Sequence, residues 1–257
     1  MKTICTFILI LSSLYSFAQA TAPITAPQKP KEQPKILPSW DVEAGYGGHL
    51  AAGDLAERFG AANYLHGGVH YKNDKLWFYG VDGGYFFGYE LKEDPLRGLR
   101  TPDGNILGKD KEYAIIDMDE RGFLLGAIVG KIIPLSKKQR QSGLRTSVSI
   151  GYMQHSIRIQ DNNLQVPSIA ENYAKGYDRL TGGLQITEFV GYQIVDSKGF
   201  INFFGGVEST QGFTKSMRSW QTDLQMKDTR NRLDVLMTAR IGITLAIRKQ
   251  KPNEIFY

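Results

Sequence analysis

The last part of the chain has an apolar side chain at every second position. Every second residue from Leu233 to Ile247 is apolar, and the residues between them include Asp234 and Arg240. Because successive side chains of a β-strand point to opposite faces, this pattern predicts a strand with one apolar face. A helix of the same residues would distribute both sets around its circumference. The apolar face must therefore be covered either by a protein core or by lipid.

Seven segments upstream show the same alternation and are rich in the aromatic and β-branched residues that pleated surfaces favour. They are Trp40–Leu50, Ala61–Tyr71, Leu76–Tyr89, Gly122–Ile133, Leu144–Arg158, Gly182–Val195 and Phe200–Ser209. The connections after the second, fourth and sixth segments are short or moderate, and the other connections are longer. This alternation of loop lengths is typical of membrane barrels. The sequence therefore predicts an all-β fold, an eight-stranded antiparallel up-and-down transmembrane β-barrel.

A water-soluble barrel of the lipocalin kind would show the same alternation, so the direction of the apolar face needs separate evidence. The opposite face carries many small residues, such as Ser147, Ser149 and Gly84, which suit a narrow interior. Aromatic residues lie near strand ends on the apolar face, where a membrane barrel has its interfacial girdles. Several segments also exceed the usual length of soluble strands. We therefore expect the apolar face to point outward.

The amino terminus has the parts of a secretory signal peptide. An apolar run from Ile4 to Leu14 precedes Ala18-Gln19-Ala20, a small-x-small cleavage pattern. The run is shorter than the roughly 20 apolar residues that a spanning helix needs. We expect residues 1–20 to be a removed signal peptide, 21–38 a proline-rich periplasmic linker, and 39–257 the barrel with a short periplasmic tail.

Cys5 is the only cysteine, and it lies inside the predicted signal peptide. The mature chain would therefore have no disulfide, no thiolate metal site and no cysteine nucleophile. The sequence also lacks a phosphate-binding glycine loop, a zinc-protease motif and a nucleophile elbow. We accordingly predict no enzymatic activity and no cofactor. The formal net charge of +5 is not expected to indicate nucleic-acid binding in an exported barrel.

Ionisable residues on the predicted inner face are the candidate site. Because buried charges need partners, we expect a charge network in the lumen, formed by Asp41, Glu43, Asp82, Arg145, Glu208, Asp234 and Arg240. An eight-stranded barrel has little interior space, so the network is interpreted as a plug, with an ion path or gate as the alternative. Strict alternation places Glu188 on the lipid face. A bulge, an inverted register or a partner protein would explain that position.

The histidines allow two interpretations. His49, His66 and His70 lie on the first two predicted strands, but no ligand motif surrounds them, so we expect lumen or rim histidines and no metal site. The pair His155-Ser156 is similar to the catalytic pair of outer-membrane lipid- or peptide-modifying enzymes. Adjacent strand residues point to opposite faces, so enzymatic activity is the weaker hypothesis.

The signal ending in Phe17-Ala18-Gln19-Ala20, the eight alternating segments and the terminal Ile255-Phe256-Tyr257 together resemble small outer-membrane barrels of Bacteroidota. In fold, the chain is similar to the transmembrane domains of the OmpA and OmpX families. The resemblance implies an outer-membrane location and recognition of Phe256 and Tyr257 by the barrel-assembly machinery. Here Lys249–Glu254 separate these aromatic residues from the last strand, which departs from the family pattern. The resemblance covers the chain from Trp40 onward and implies a fold, not an activity.

Two functions of different classes remain open at this point. The first is a structural or protein-interaction role, as an accessory component of a cell-envelope complex. The second is a narrow pore for ions or small solutes. Loop residues are candidates for contacts with lipopolysaccharide phosphates, outer-membrane lipid and protein partners, among them Arg179, Lys215, Arg218, Tyr173, Tyr177, Phe213 and Trp220.

Overall fold

The barrel is closed by eight antiparallel strands, as the sequence predicts. The computed structural model describes residues 36–136, 141–195 and 201–248. The barrel strands are β1 (Ser39–Gly53), β2 (Ala61–Lys72), β3 (Trp77–Gly88), β6 (Ile116–Pro134), β7 (Gly143–Asp161), β8 (Thr181–Val195), β9 (Ile201–Ser216) and β10 (Asn231–Ile247). Two short strands, β4 (Ile106–Leu107) and β5 (Tyr113–Ala114), pair with each other in the connection from β3 to β6. Strand β1 pairs with both β2 and β10, which closes the ring.

In the described connections, the helices are short 3-10 helices, at Asp54–Glu57, Arg97–Leu99, Pro167–Ile169 and Glu171–Gly176. Within the described residues, no helix has both the length and the apolar character needed to cross a membrane. The predicted signal peptide and most of the predicted linker lie outside the described residues, so both remain expectations.

Several strand boundaries differ from the predicted ones. Strand β6 begins at Ile116 instead of Gly122, and β9 continues to Ser216 instead of ending at Ser209. The backbone ladder continues at these ends although the apolar alternation has stopped, because hydrogen bonding between strands does not depend on side-chain polarity. Leu76 was predicted to begin the third strand. It lies in the turn instead, with a φ of 64° and a buried side chain.

The apolar strand faces point outward. Trp40, Tyr79, Leu125, Ile150, Val207 and Ile241 have exposed fractions between 50% and 70%. Inward-facing positions carry glycine, hydroxyl, amide and charged side chains together with some aromatic and aliphatic ones. A barrel that folded in water would bury its apolar face, so this inverted distribution is that of a membrane-spanning barrel and excludes the lipocalin-like alternative.

Aromatic groups border the outer surface near both ends of the barrel. At the end with the short turns, Tyr71 contacts Trp40 and Tyr79, with ring centroids 5.6 Å and 5.5 Å apart. Toward the end with the long loops, Phe123 and Tyr152 have ring centroids 6.1 Å apart. Such rings at two levels match the interfacial girdles of membrane barrels.

Apolar side chains fill the lumen at two levels. At the loop end, the connection after β1 folds into the barrel, where Leu55 and Phe59 are fully buried. They form the mouth plug together with Tyr64, Phe86, Leu124, Met153, Ile157 and Leu236. At the turn end, a base cluster consists of Ile36, Leu76, Phe78, Ile128 and Ile132. The polar candidate site lies between these two clusters.

Candidate functional site

Four charged side chains meet in the middle of the lumen and form what we call the central ion cluster. Glu43 on β1 accepts hydrogen bonds from Arg145 Nη2 at 2.5 Å and from Arg240 Nη1 at 3.3 Å. The Nε atom of Arg240 lies 2.9 Å from a carboxylate oxygen of Glu208. Each residue is at most 3% exposed. Two carboxylates thus neutralise two guanidinium groups, as buried charges require.

Aromatic rings enclose the two guanidinium groups of the central ion cluster. The guanidinium carbon of Arg145 lies 4.7 Å from the ring centroids of both Phe78 and Phe204. That of Arg240 lies 4.4 Å from the ring centroid of Phe189. These distances are in the range of favourable cation–π interactions. The rings also fill space beside the charges, which fits a packed plug better than a hydrated path.

Two of the predicted network residues have partners outside the central ion cluster. Asp41 pairs with Lys72 Nζ at 2.8 Å, near the base of the barrel. Asp82 accepts a hydrogen bond from Ser149 at 2.8 Å. Lys72 was predicted to lie in a turn, but it is the last residue of β2 and is buried. The inward positions His66 and His70 alternate with outward ones, so extending that alternation by two residues would have identified it.

Asp234 belongs to a third group of interactions, near the mouth plug. Its carboxylate lies 2.9 Å from His155 Nε2, accepts a hydrogen bond from the Thr214 hydroxyl at 2.5 Å and lies 3.4 Å from Arg232 Nε. All seven predicted network residues therefore face the lumen, but they are distributed over separate groups. Arg232 and His155 were not among the predicted members.

The geometry at Asp234 differs from that of a catalytic triad. In such a triad the histidine lies between the hydroxyl and the carboxylate and removes the hydroxyl proton. Here the carboxylate of Asp234 lies between His155 and the Thr214 hydroxyl. Ser156, the neighbour of His155, pairs with Arg121 along the strand ladder and lies on the other face. The arrangement therefore gives neither hydroxyl a histidine base.

The three histidines on the first two strands have carboxylate neighbours. His66 Nε2 lies 3.1 Å from Glu43, and His70 Nδ1 lies 3.7 Å from the other oxygen of the same carboxylate. His49 lies 3.6 Å from Glu120. Among the described residues, no group of three or more histidine, cysteine or acidic side chains is arranged to hold a metal ion.

A second set of ion pairs joins the long loops, and we call it the loop latch. Arg58, which follows the 3-10 helix Asp54–Glu57, lies 2.9 Å from Glu93 and 3.7 Å from Asp228. Arg179 lies 2.6 Å from Glu93 and 2.5 Å from Asp223. Arg58 also donates a hydrogen bond to the Thr181 hydroxyl at 2.9 Å. These contacts connect all four long connections into one unit.

The structure contradicts several of the predicted surface contacts of the loops. Arg179 and Tyr177 were candidates for lipopolysaccharide or partner contacts, but both side chains are buried within the loops. Phe213 and Lys215 were assigned to a loop, but both belong to β9. The sequence did not reveal that Arg179 and Tyr177 are buried, because their burial depends on contacts with residues that are distant along the chain. Tyr173 and Trp220 are exposed, as that interpretation requires.

Two acidic residues of the loop latch have lowered pKa values. Burial alone would raise the pKa of Asp223, but the hydrogen bond and charge of Arg179 hold it below 3.8. Burial likewise opposes ionisation of Asp228, and the hydrogen bonds and charge of Arg230 with the charge of Arg58 hold its pKa below 3.8. A lowered folded-state pKa stabilises the fold above the unfolded-state pKa. That contribution is lost as pH falls through the folded-state value.

We therefore expect the loops to keep their order at mildly acidic pH and to loosen only below about pH 3.8. Pepsin cleavage of the outer loops, followed between about pH 5 and pH 2, measures this transition. The Arg179→Met variant is the control for the pH dependence of pepsin itself. Its loop latch lacks the Arg179 guanidinium at every pH, so its cleavage should change with pH only as the activity of pepsin changes. Parallel cleavage profiles of the two proteins would contradict this prediction.

Glu188 occupies a regular position in the strand ladder. It is the middle residue of β8, lies opposite Val148 on β7 and Ser209 on β9, and is exposed on the outer surface. The continuous pairing on both sides rules out a bulge or an inverted register at this residue. Of the three explanations considered for Glu188, a protein partner remains. Phe256 and Tyr257, the predicted assembly signal, lie outside the described residues.

Comparison with known proteins gives matches only among solved structures. No protein-family model matches the chain. No curated protein matches it either. The chain is similar to Neisserial surface protein A at 10% identity, with 81% of this chain and 97% of that chain covered and a TM-score of 0.43.

Two further solved structures show a similar degree of similarity. For Ail of Yersinia pestis, in complex with the heparin analogue sucrose octasulfate, the identity is 10%, the coverage 81% of this chain and 99% of that chain, and the TM-score 0.44. For the outer membrane protein OprG from Pseudomonas aeruginosa, the identity is 10%, the coverage 84% and 99%, and the TM-score 0.41. These similarities concern barrel architecture and carry no information on the role of this chain.

Proposed function

We propose that this protein is an outer-membrane barrel with a structural or protein-interaction role, which presents a fixed loop surface to a partner in the cell envelope. The observation that carries the proposal is the filled lumen. The base cluster, the central ion cluster and the mouth plug occupy successive levels of the barrel. A barrel filled in this way is a rigid support and not a channel.

The loop surface fits the binding of a protein partner. The loop latch holds the connections in one arrangement, and a surface ordered in advance loses less entropy on binding. Tyr89, Tyr113, Tyr173 and Trp220 project from these connections with exposed fractions between 53% and 74%. Tyrosine and tryptophan are enriched among the residues that contribute most to binding energy at interfaces. These properties support the proposed accessory role in an envelope complex.

Basic loop residues outside the loop latch suit the outer leaflet of the same membrane. Arg97, Lys109, Lys111 and Lys227 are exposed in the connections. Guanidinium and ammonium groups form charge-assisted hydrogen bonds with phosphate, so lipopolysaccharide is the lipid that we expect around the barrel. Together with the apolar outer surface and the predicted export signal, these residues support an outer-membrane location.

Recording across planar lipid bilayers tests the filled lumen against the pore alternative. We expect the purified, refolded protein to give no steady conductance, because charged and apolar side chains occupy the lumen. Heat-modifiable migration on a denaturing gel verifies that the inserted protein is folded. A steady, size-selective conductance of the folded protein would contradict the proposal, and a change of that conductance in Arg240→Ala would assign the path to the lumen.

Photo-crosslinking in native membranes tests the interaction role. A photoreactive amino acid replaces Tyr173 or Trp220 on the loop surface, and Val69 on the lipid face serves as the matched control. We expect both loop positions, but not position 69, to crosslink to the same protein. Recovery of only lipid and uncrosslinked monomer from the loop positions would count against a partner.

A further inference from the structure

A small polar patch interrupts the apolar outer surface of the barrel. It consists of Glu188 on β8 with Ser209 and Gln211 on β9, and we call it the lipid-facing polar patch. Glu188 lies directly opposite Ser209 in the strand ladder, and Gln211 lies opposite Ile186. The Gln211 amide donates a hydrogen bond to the Ser209 hydroxyl at 3.3 Å. Three polar side chains of adjacent strands thus share one surface site.

The surroundings of the lipid-facing polar patch are apolar. The flanking outward residues are Leu184, Val190, Val148, Ile150, Val207, Phe213 and Met237, with exposed fractions between 48% and 62%. Glu188 is the central residue of β8, so the patch lies midway along the strand and away from both aromatic levels. Acyl chains at that depth offer no hydrogen-bond donor or acceptor. Within the described part of the chain, Glu188 forms no ion pair or hydrogen bond.

We propose that the lipid-facing polar patch is the contact between two copies of this chain in the membrane. The patch holds an acceptor, the Glu188 carboxyl, and a donor, the Gln211 amide, diagonally across two adjacent strands. Such diagonal neighbours lie about 7–8 Å apart. In a two-fold contact, the donor of each copy meets the acceptor of the other, so the same hydrogen bond forms twice.

The composition of the patch favours a second copy over a different partner. A single basic side chain from another protein would neutralise Glu188 but would leave the second N–H of the Gln211 amide, the one not directed at Ser209, without an acceptor. A second copy places the Gln211 amide of each chain against the Glu188 carboxyl of the other, so that both groups are used on both sides. Polar side chains that hydrogen-bond across an interface stabilise association within membranes, where apolar surfaces are already covered by lipid. The proposal rests on the membrane location given above.

Single-cysteine crosslinking tests this contact in intact membranes. Because Cys5 is the only cysteine, a Cys5→Ser background allows one thiol to be placed at will. Val207→Cys lies beside the patch on β9, and Val81→Cys on β3 lies on the far side of the barrel. With a short thiol-reactive bifunctional reagent, we expect a crosslinked dimer from Val207→Cys and only monomer from Val81→Cys.

Substitutions in the patch then test its hydrogen bonds. Glu188→Leu, in the Val207→Cys background, should reduce the dimer yield about ten-fold, a loss that corresponds to removal of the exchanged hydrogen bonds. Glu188→Gln keeps an acceptor and should retain most of the dimer. Heat-modifiable migration verifies that each variant is folded, and recovery in the membrane fraction verifies that it is inserted. If Val207→Cys passes both controls but gives no dimer, this result contradicts the contact and not the membrane location.

Three outcomes would overturn the proposal. The first is equal dimer yield from Val207→Cys and Val81→Cys, which would indicate random collision. The second is a dimer yield that Glu188→Leu leaves unchanged. The third is a crosslinked product of Val207→Cys whose mass differs from that of two copies, which would assign the patch to another protein.

Discussion

Replacing Glu43 by glutamine is expected to destabilise the barrel by about 3–5 kcal/mol, the range observed when one partner of a buried ion pair is removed. The Glu43 carboxylate contacts Arg145, Arg240, His66 and His70. Its loss leaves two buried guanidinium groups with Glu208 as the remaining carboxylate of the central ion cluster. Urea unfolding in detergent micelles measures the change in the free energy of unfolding.

Two variants make the Glu43 experiment specific. Glu57→Gln makes the same chemical change at an exposed position and is expected to alter the free energy of unfolding by less than about 0.5 kcal/mol. The double variant Glu43→Gln/Arg145→Gln, compared with Arg145→Gln alone, removes one charge of each sign and should lose less free energy of unfolding than its two single variants together. If the effects of the two single substitutions simply add, these residues are not coupled and the cluster does not act as a unit.

Replacing Arg58 by methionine is expected to release the long loops from each other. Arg58 is 2% exposed and contacts Glu93, Asp228 and Thr181 from three different connections or strand ends. Hydrogen bonds to charged groups contribute about 1.5–3 kcal/mol each, so the loops should open locally at least ten-fold more often. The rate of limited proteolysis of the loops, in barrels that remain heat-modifiable, measures this opening.

Arg230→Met is the matched control for Arg58→Met. Arg230 pairs with the same Asp228 carboxylate, at 3.2 Å, but its side chain is 63% exposed. Exposed pairs contribute roughly 0–1 kcal/mol because water screens them, so the proteolysis rate should change little. Equal acceleration by both substitutions would show that burial of Arg58 has no special role in the loop latch.

Much of the fold could be predicted because strand alternation is local. Successive side chains of a strand lie on opposite faces, so the sequence places Ile241 and Arg240 on different faces, and the small residues that share the face of Arg240 indicate that it points inward. Boundaries were less accurate. The ladder of β6 and β9 extends past the apolar segments, and Leu76 joins the base cluster from a turn and not from a strand.

The sequence could predict which charged residues face the lumen, but not which of them form ion pairs. Alternation identified Glu43, Arg145 and Arg240 as lumen residues, and burial explains why they need opposite charges. Their pairing joins residues that are up to 197 positions apart in sequence. The loop latch was missed for the same reason, since Arg179 meets Glu93 only when distant connections fold over the mouth of the barrel.

The sequence alone determined that this chain forms an eight-stranded barrel with an apolar exterior and a charged lumen. The two faces of each strand follow from the period of two, which is a property of the backbone itself, and the small residues of one face indicated that this face points inward. Only the tertiary structure decided which charges meet, that the connection after β1 fills the mouth of the barrel, and that Glu188 shares a surface with Ser209 and Gln211. Those contacts depend on closure and register, which bring together residues that no local pattern relates.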